Sequence, residues 1–177
     1  MPLTVNKLLL HATNQLKAVS TSAESDALCL LESIYPNLRS QRHLWPELSL
    51  NETQHQQWQA LLNQRLQGTP VAYILGYCYF WDLKLNVTPH TLIPRRETEH
   101  LVETLFAQTK HCNALTLADA GTGCGTIACT VAKHRPQWEV IGLELCPHAL
   151  KVAQTNATDT PNLTFCVQTS LMLGPST

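Results

Sequence analysis

Charge is scarce in this chain: only 14% of its 177 residues are Asp, Glu, Lys or Arg, and the formal net charge is −1. A protein that grips a phosphate backbone by itself needs a basic face, so direct nucleic-acid binding is not expected. A ribosome-associated protein is still compatible as a partner. The seven cysteines (29, 78, 112, 124, 129, 146 and 166) are odd in number and form no Cys-x-x-Cys pair. That leaves neither a disulfide framework nor a structural zinc site, and fits reduced thiols in a cytosol. The eight histidines form no His-Glu-x-x-His or similar grouping, so no metal is assigned. No basic-then-apolar leader opens the chain and no apolar run reaches membrane-spanning length, so no membrane segment is expected and the localisation reads as cytoplasmic. Four Asn-x-Thr triplets, at Asn51, Asn86, Asn156 and Asn162, read as chance occurrences without a secretion signal.

What is present begins with helical periodicity. Leu8, Leu9, Ala12, Leu16 and Val19 recur at helical spacing. Thr21-Ser22-Ala23-Glu24 has the form of a capping box opening a second helix, with Ala27, Leu28, Leu31 and Ile34 on one face and Pro36 limiting it. A second such box, Ser49-Leu50-Asn51-Glu52, predicts a third helix with Trp58, Leu61, Leu62 and Arg65 on a common side, stopped by Gly68 and Pro70. Short amphipathic helices must pack together to persist. The first ~70 residues therefore read as a small bundle for recognition or docking.

The rhythm then changes. Tyr77–Phe80 is aromatic, Leu83–Val87 alternates with period two, and Asp82 lies between them, predicting a hairpin. Leu92 to Glu99 leads through Pro94 into a helix carrying Leu101, Val102, Leu105 and Phe106, with acids in its first turn. From 115 onward the pattern is strand (115–120), helix (125–134), strand (139–145), helix (147–157) and strand (163–167). Strands separated by single helices predict a parallel sheet with right-handed crossovers.

The sharpest chemical signal is Asp119-Ala120-Gly121-Thr122-Gly123-Cys124-Gly125, set between a strand and a helix. Alternating glycines let the backbone take positive φ and approach a ligand closely, and free amides at the helix start then face it. A dinucleotide enzyme prefers Gly-x-Gly-x-x-Gly/Ala, whose third position falls here on Thr126. Glu144, closing the next strand a little over twenty residues after the first glycine, sits where an acid takes both ribose hydroxyls.

The alternating-glycine loop with its preceding Asp resembles the first motif of class I S-adenosylmethionine methyltransferases. Gly68-Thr69-Pro70-Val71-Ala72-Tyr73-Ile74-Leu75-Gly76, Phe80 and Leu92-Ile93-Pro94-Arg95-Arg96-Glu97-Thr98-Glu99-His100-Leu101-Val102-Glu103 together resemble the release factor glutamine methyltransferases (the HemK/PrmC family). The resemblance implies an α/β protein in three parts: a helical substrate-docking bundle (1–72), a β-hairpin linker (73–91), and the first half, βαβαβ, of a Rossmann-like class I methyltransferase sheet (92–177). It also implies methyl transfer from S-adenosyl-L-methionine to the glutamine amide of a Gly-Gly-Gln motif, with peptide-chain release factors as the protein partner. The cofactor-binding residues it points to are Asp119, Gly121, Thr122, Gly123, Cys124, Gly125, Glu144 and Leu171.

Three departures accompany the resemblance. Arg96 stands where the family usually has a second proline, and Ser170 where it has an acid near the adenine, the latter worth about 1–3 kcal/mol of binding. The family's Asn-Pro-Pro-Tyr motif, which would hold the glutamine amide for attack, is not among these 177 residues, so no catalytic residue is assigned. Ending at Thr177 is expected to leave the first parallel strand as an uncovered edge and the chain prone to associate. The alternatives are a non-catalytic fragment that binds release factors and, less well supported by Thr126, another nucleotide-dependent Rossmann enzyme.

Overall fold

The computed structural model describes residues 4–38 and 47–167. The chain divides into two compact units, Met1–Leu75 and Gly76–Thr177. In the first unit, helices α1 (Val5–Leu16), α2 (Ala23–Ile34), α3 (Glu52–Leu66) and the short α4 (Val71–Leu75) enclose one apolar cluster. Leu16, Leu30, Leu31 and Trp58 are all but inaccessible within it.

Both sequence-derived capping boxes are displaced. The cap of α2 is Ser22, and its hydroxyl makes no cap bond. It donates to the Asp26 carboxylate at 2.9 Å, and Ser20 donates to the other oxygen at 2.7 Å. Asp26 also holds Arg65 of α3 at 2.8 Å, both side chains being nearly buried. A charged acceptor in that setting draws hydroxyls more strongly than a backbone amide does. At α3 the box is built two residues later than Ser49. The Asn51 side chain accepts from Gln54 N, and the Gln54 side chain accepts from Asn51 N. Ser49 is instead engaged in a bridge to Thr4.

The second unit opens with an antiparallel hairpin of β1 (Tyr77–Phe80) and β2 (Leu83–Asn86). Its turn residue Trp81 adopts φ +55°, a strained state for a bulky side chain that surrounding contacts enforce. Glu99 of α5 (Arg96–Gln108) accepts from Trp81 N at 3.0 Å, and the indole meets Phe106 edge-on. Asp82 pairs with Lys133 and His134 of α6 (Thr126–His134), which lower its pKa to about 2, chiefly through the Lys133 hydrogen bond.

Behind these lie three parallel strands in the order β3-β4-β5: β3 (Thr116–Ala120), β4 (Glu139–Glu144) and β5 (Leu163–Val167). Helices α6 and α7 (Pro147–Asn156) connect them. The chain is thus a mixed α/β protein, helices first and a parallel sheet after. Gly142, mid-strand in β4, has the Phe165 ring lying where a Cβ would be.

All four Asn-x-Thr asparagines have structural work. Asn51 caps α3. Asn86 and Asn156 bond each other. The Asn162 amide donates to the carbonyls of Ala132, Arg135 and Trp138, tying off the end of α6.

Candidate functional site

The loop between β3 and α6 is where backbone geometry departs furthest from the ordinary. Gly121, Gly123 and Gly125 take φ of +77°, +59° and +85°, values that a residue with a Cβ adopts only at a cost. Their surroundings differ. A Cβ on Gly121 or Gly123 would meet nothing within 4 Å, whereas one on Gly125 would sit 3.0 Å from Cys129 Sγ and 3.3 Å from the Ala153 methyl. The first two glycines therefore face open space, and the third packs the helix start against α7.

The loop amides are mostly committed internally, contrary to the expectation of free donors. Gly121 N and Thr122 N both donate to Leu143 O, at 2.8 and 2.9 Å, and Gly125 N closes a turn onto Thr122 O at 2.8 Å. Gly123 N donates to Glu144 Oε2 at 2.9 Å. Periodicity cannot reveal this, because the acceptor Leu143 O comes from the neighbouring strand. The loop is a rigid shape first and a set of donors second.

Two carboxylates face the space beside it. Asp119 Oδ2 accepts from the Thr122 hydroxyl at 2.6 Å and from Ala128 N at 3.2 Å. Burial pushes its pKa up, those two hydrogen bonds oppose the rise, and the negative charge of Glu144 adds to it. Glu144, at the end of β4, uses Oε1 to accept from Leu145 N and Cys146 N. Among the described residues its Oε2 takes only Gly123 N. A carboxylate oxygen accepts two hydrogen bonds, so Oε2 retains capacity for a ligand hydroxyl without disturbing the loop.

These groups line a cleft of about 420 Å³, within the usual range for small-molecule sites. Asp119, Gly121, Thr122, Gly123, Cys124 and Glu144 are brought together on its walls. Gly125 lies behind the loop, not on the cleft surface, and Leu171 falls outside the described residues. The opposite wall is the segment from His90 to Arg95 together with Thr98 of α5, which sequence reasoning took as a family marker and not as part of a site. Leu92 O lies 4.0 Å from Cys124 Sγ, where the two walls meet. Asn156, on α7, donates to Cys124 O at 2.8 Å while bonded to Asn86, so it props the glycine loop from behind. No local pattern marks Asn156, since its partners lie 32 and 70 residues away.

Burial works against thiolate formation in and around the site. Burial raises the pKa of Cys124, and lifts those of Cys129 to about 12 and Cys78 to about 11. Among the described residues no group of three His, Cys, Asp or Glu could hold a metal ion. None of the described helices is long and apolar enough to cross a membrane.

The cleft suits an adenosyl amino acid in three respects. The open glycines admit the ligand, Glu144 offers an acceptor for ribose, and Asp119 leaves Oδ1 outside its internal hydrogen bonds for a cationic group. Comparison with known proteins bears on the same question. Residues 7–76 match the family model described as the PrmC N-terminal domain. The release factor glutamine methyltransferase of Coxiella burnetii is 39% identical over 155 residues, covering 88% of this chain and 56% of that protein. The enzyme of the same name from Escherichia coli K12 is 42% identical over 151 residues, 84% of this chain and 53% of that protein. One solved structure, the N-terminal domain of human METTL16, overlays on 80% of this chain and 53% of that one, with a TM-score of 0.41 at 19% identity, too loose a likeness to carry an argument. The chain spans about half the length of the curated relatives it matches. Residues 7–76 thus match the PrmC N-terminal domain, and most of the chain is 39–42% identical to proteins named release factor glutamine methyltransferase.

Proposed function

We propose that the second unit binds S-adenosyl-L-methionine in the cleft beside the glycine loop, and that this binding serves N5-methylation of the glutamine in the Gly-Gly-Gln motif of peptide-chain release factors. The observation that carries the reading is the pairing of open, positive-φ glycines with Asp119 and Glu144 on one cleft. The similarity to enzymes named for that reaction supports it. When bound, the cofactor supplies an electrophilic methyl group on a sulfonium.

The chain's own residues have distinct roles in this reading. Gly121, Thr122, Gly123 and Cys124 shape the wall against which the methionine end lies. Glu144 Oε2 accepts a ribose hydroxyl. Asp119 Oδ1 faces the ammonium. Gly125 acts indirectly, by fixing the start of α6 against Cys129 and Ala153. The helical unit docks the protein substrate, in the cytoplasm where release factors act. No residue of the chain is assigned the task of orienting the glutamine amide.

Calorimetric titration of the 177-residue chain with S-adenosylmethionine tests the cofactor reading. Saturable micromolar binding that Glu144→Gln weakens about tenfold is expected, from the loss of a charge-assisted acceptor. Preference for a nicotinamide dinucleotide, or no binding of either ligand, would sink it.

A further inference from the structure

We infer that a second site, in the groove between β2 and α7, takes an oxyanion of the phosphate class, with His90, His148 and Lys151 as its cationic contacts. The groove has a volume of about 290 Å³, at the small end for ligand sites. Thr88 and His90 line it from the segment that follows β2. His148, Lys151 and Val152 line it from α7, at the spacing that puts side chains on one helix face. Asn156 ties the two walls together. Its side chain accepts from Asn86 N at 2.8 Å and donates to Asn86 O at 2.9 Å, so the groove is built without help from a ligand.

What singles the groove out is positive charge without a counterpart. No Asp or Glu lines it. The acids of the neighbouring cleft, Asp119 and Glu144, are engaged with the glycine loop. Lys133, on the preceding helix, has Asp82 as its partner. Lys151 has none: among the described residues its ammonium makes no ion pair or hydrogen bond, and neither do the rings of His90 and His148. Those rings stack on each other, with centroids 4.6 Å apart and planes at 23°. Two imidazoles stacked beside an ammonium repel one another when protonated, and a doubly charged anion between them and the lysine turns that repulsion into attraction. Imidazolium and ammonium N–H groups bond phosphate oxygens with charge assistance. The Thr88 hydroxyl accepts from His90 N at 3.3 Å and donates to nothing among the described residues, which leaves its hydrogen for the ligand. Val152 offers an apolar flank, room for the carbon chain of a small phosphate ester as well as for the free ion. None of these groups belongs to the glycine loop, so the site stands apart from the S-adenosylmethionine reading.

The test is an NMR titration of the 177-residue chain, read at the imidazole C–H signals and the Lys151 amide. It is run at constant ionic strength and at about pH 6.5, where histidine takes a proton readily. Inorganic phosphate and glycerol 3-phosphate are the ligands, with chloride as the blank. The signals of His90, His148 and Lys151 are expected to move together along one saturable curve, with half-saturation at about millimolar ligand. Lys151→Gln and His148→Asn should each weaken binding about tenfold, from the loss of a charge-assisted donor. Lys110→Gln, outside the groove, should leave it as in wild type. Tighter binding of glycerol 3-phosphate assigns the site to an ester, and equal binding assigns it to the free ion. Shifts that rise linearly with both ligands would overturn the inference, as would a Lys151→Gln chain that keeps wild-type affinity. Neither result touches the cofactor reading, which the S-adenosylmethionine titration decides separately.

Discussion

Replacing Gly125 by alanine should destabilise the second unit far more than replacing Gly123, although both glycines have positive φ. The backbone cost is shared: an L-residue held near +60° to +85° costs about 1–2 kcal/mol. The lower entropy of the alanine-bearing unfolded chain returns about 0.4–1 kcal/mol. For Gly123 that is nearly the whole effect, about 0–1.5 kcal/mol, because its new methyl would meet nothing within 4 Å. At Gly125 the methyl would lie 3.0 Å from Cys129 Sγ and 3.4 Å from Ala153 Cα. Cys129 and Ala153 are both buried, and overpacking such a site adds about 1–3 kcal/mol. Amide exchange at Val140, in the central strand of the sheet, isolates the second unit from the helical one. A gap of about 1–3 kcal/mol between the two variants corresponds to a roughly five- to 150-fold faster exchange for Gly125→Ala than for Gly123→Ala. Equal exchange would refute the packing described for the start of α6. Gly123→Ala should nonetheless lose ligand affinity, since its methyl would project into the cleft.

Asp26→Ala should destabilise the helical unit by about 3–5 kcal/mol, because Arg65 would be left nearly buried without its partner; chemical denaturation of residues 1–75 within the full chain, followed at Trp58, measures this. Asp119 has a raised folded-state pKa, so its favourable contribution is complete below the unfolded-state value and is lost as pH rises through the folded one. Asp119→Asn should therefore match or exceed wild-type stability at pH 7, with the gap closing on acidification, while S-adenosylhomocysteine binding falls; a loss of stability at pH 7 would contradict the burial argument. Native alkylation read by mass spectrometry should label the exposed Cys112 and Cys166 first and leave Cys124 and Cys129 for last.

Much of the fold was legible because it depends on local repetition. The strand–helix alternation after residue 115 is read from period changes, and the strand bounds fall within a residue of those expected. The capping boxes misled for the opposite reason. Thr21 to Glu24 carries the pattern, but Asp26, fixed by Arg65 from 39 residues away, takes the hydroxyls. Ser49 to Glu52 carries it too, and pairing with Thr4 leaves Asn51 as the cap. A pattern states which bonds a segment can make, and packing chooses among them.

By itself, the sequence determined the order of the longer helices and the strands, but not the short α4; it also determined the glycine-loop turn and the acid at the end of the second parallel strand, since each is set by residue type at short range. Tertiary structure decided which side of that loop is open. It turned Gly121 and Gly123 toward the cleft and packed Gly125 against α7, committed the loop amides to Leu143 O and Glu144, and propped Cys124 on Asn156. It also brought Arg95 and Thr98 to face Asp119 and Glu144 across one cleft. Those relations join segments tens of residues apart, and only chain packing fixes the separation of groups that no local periodicity connects.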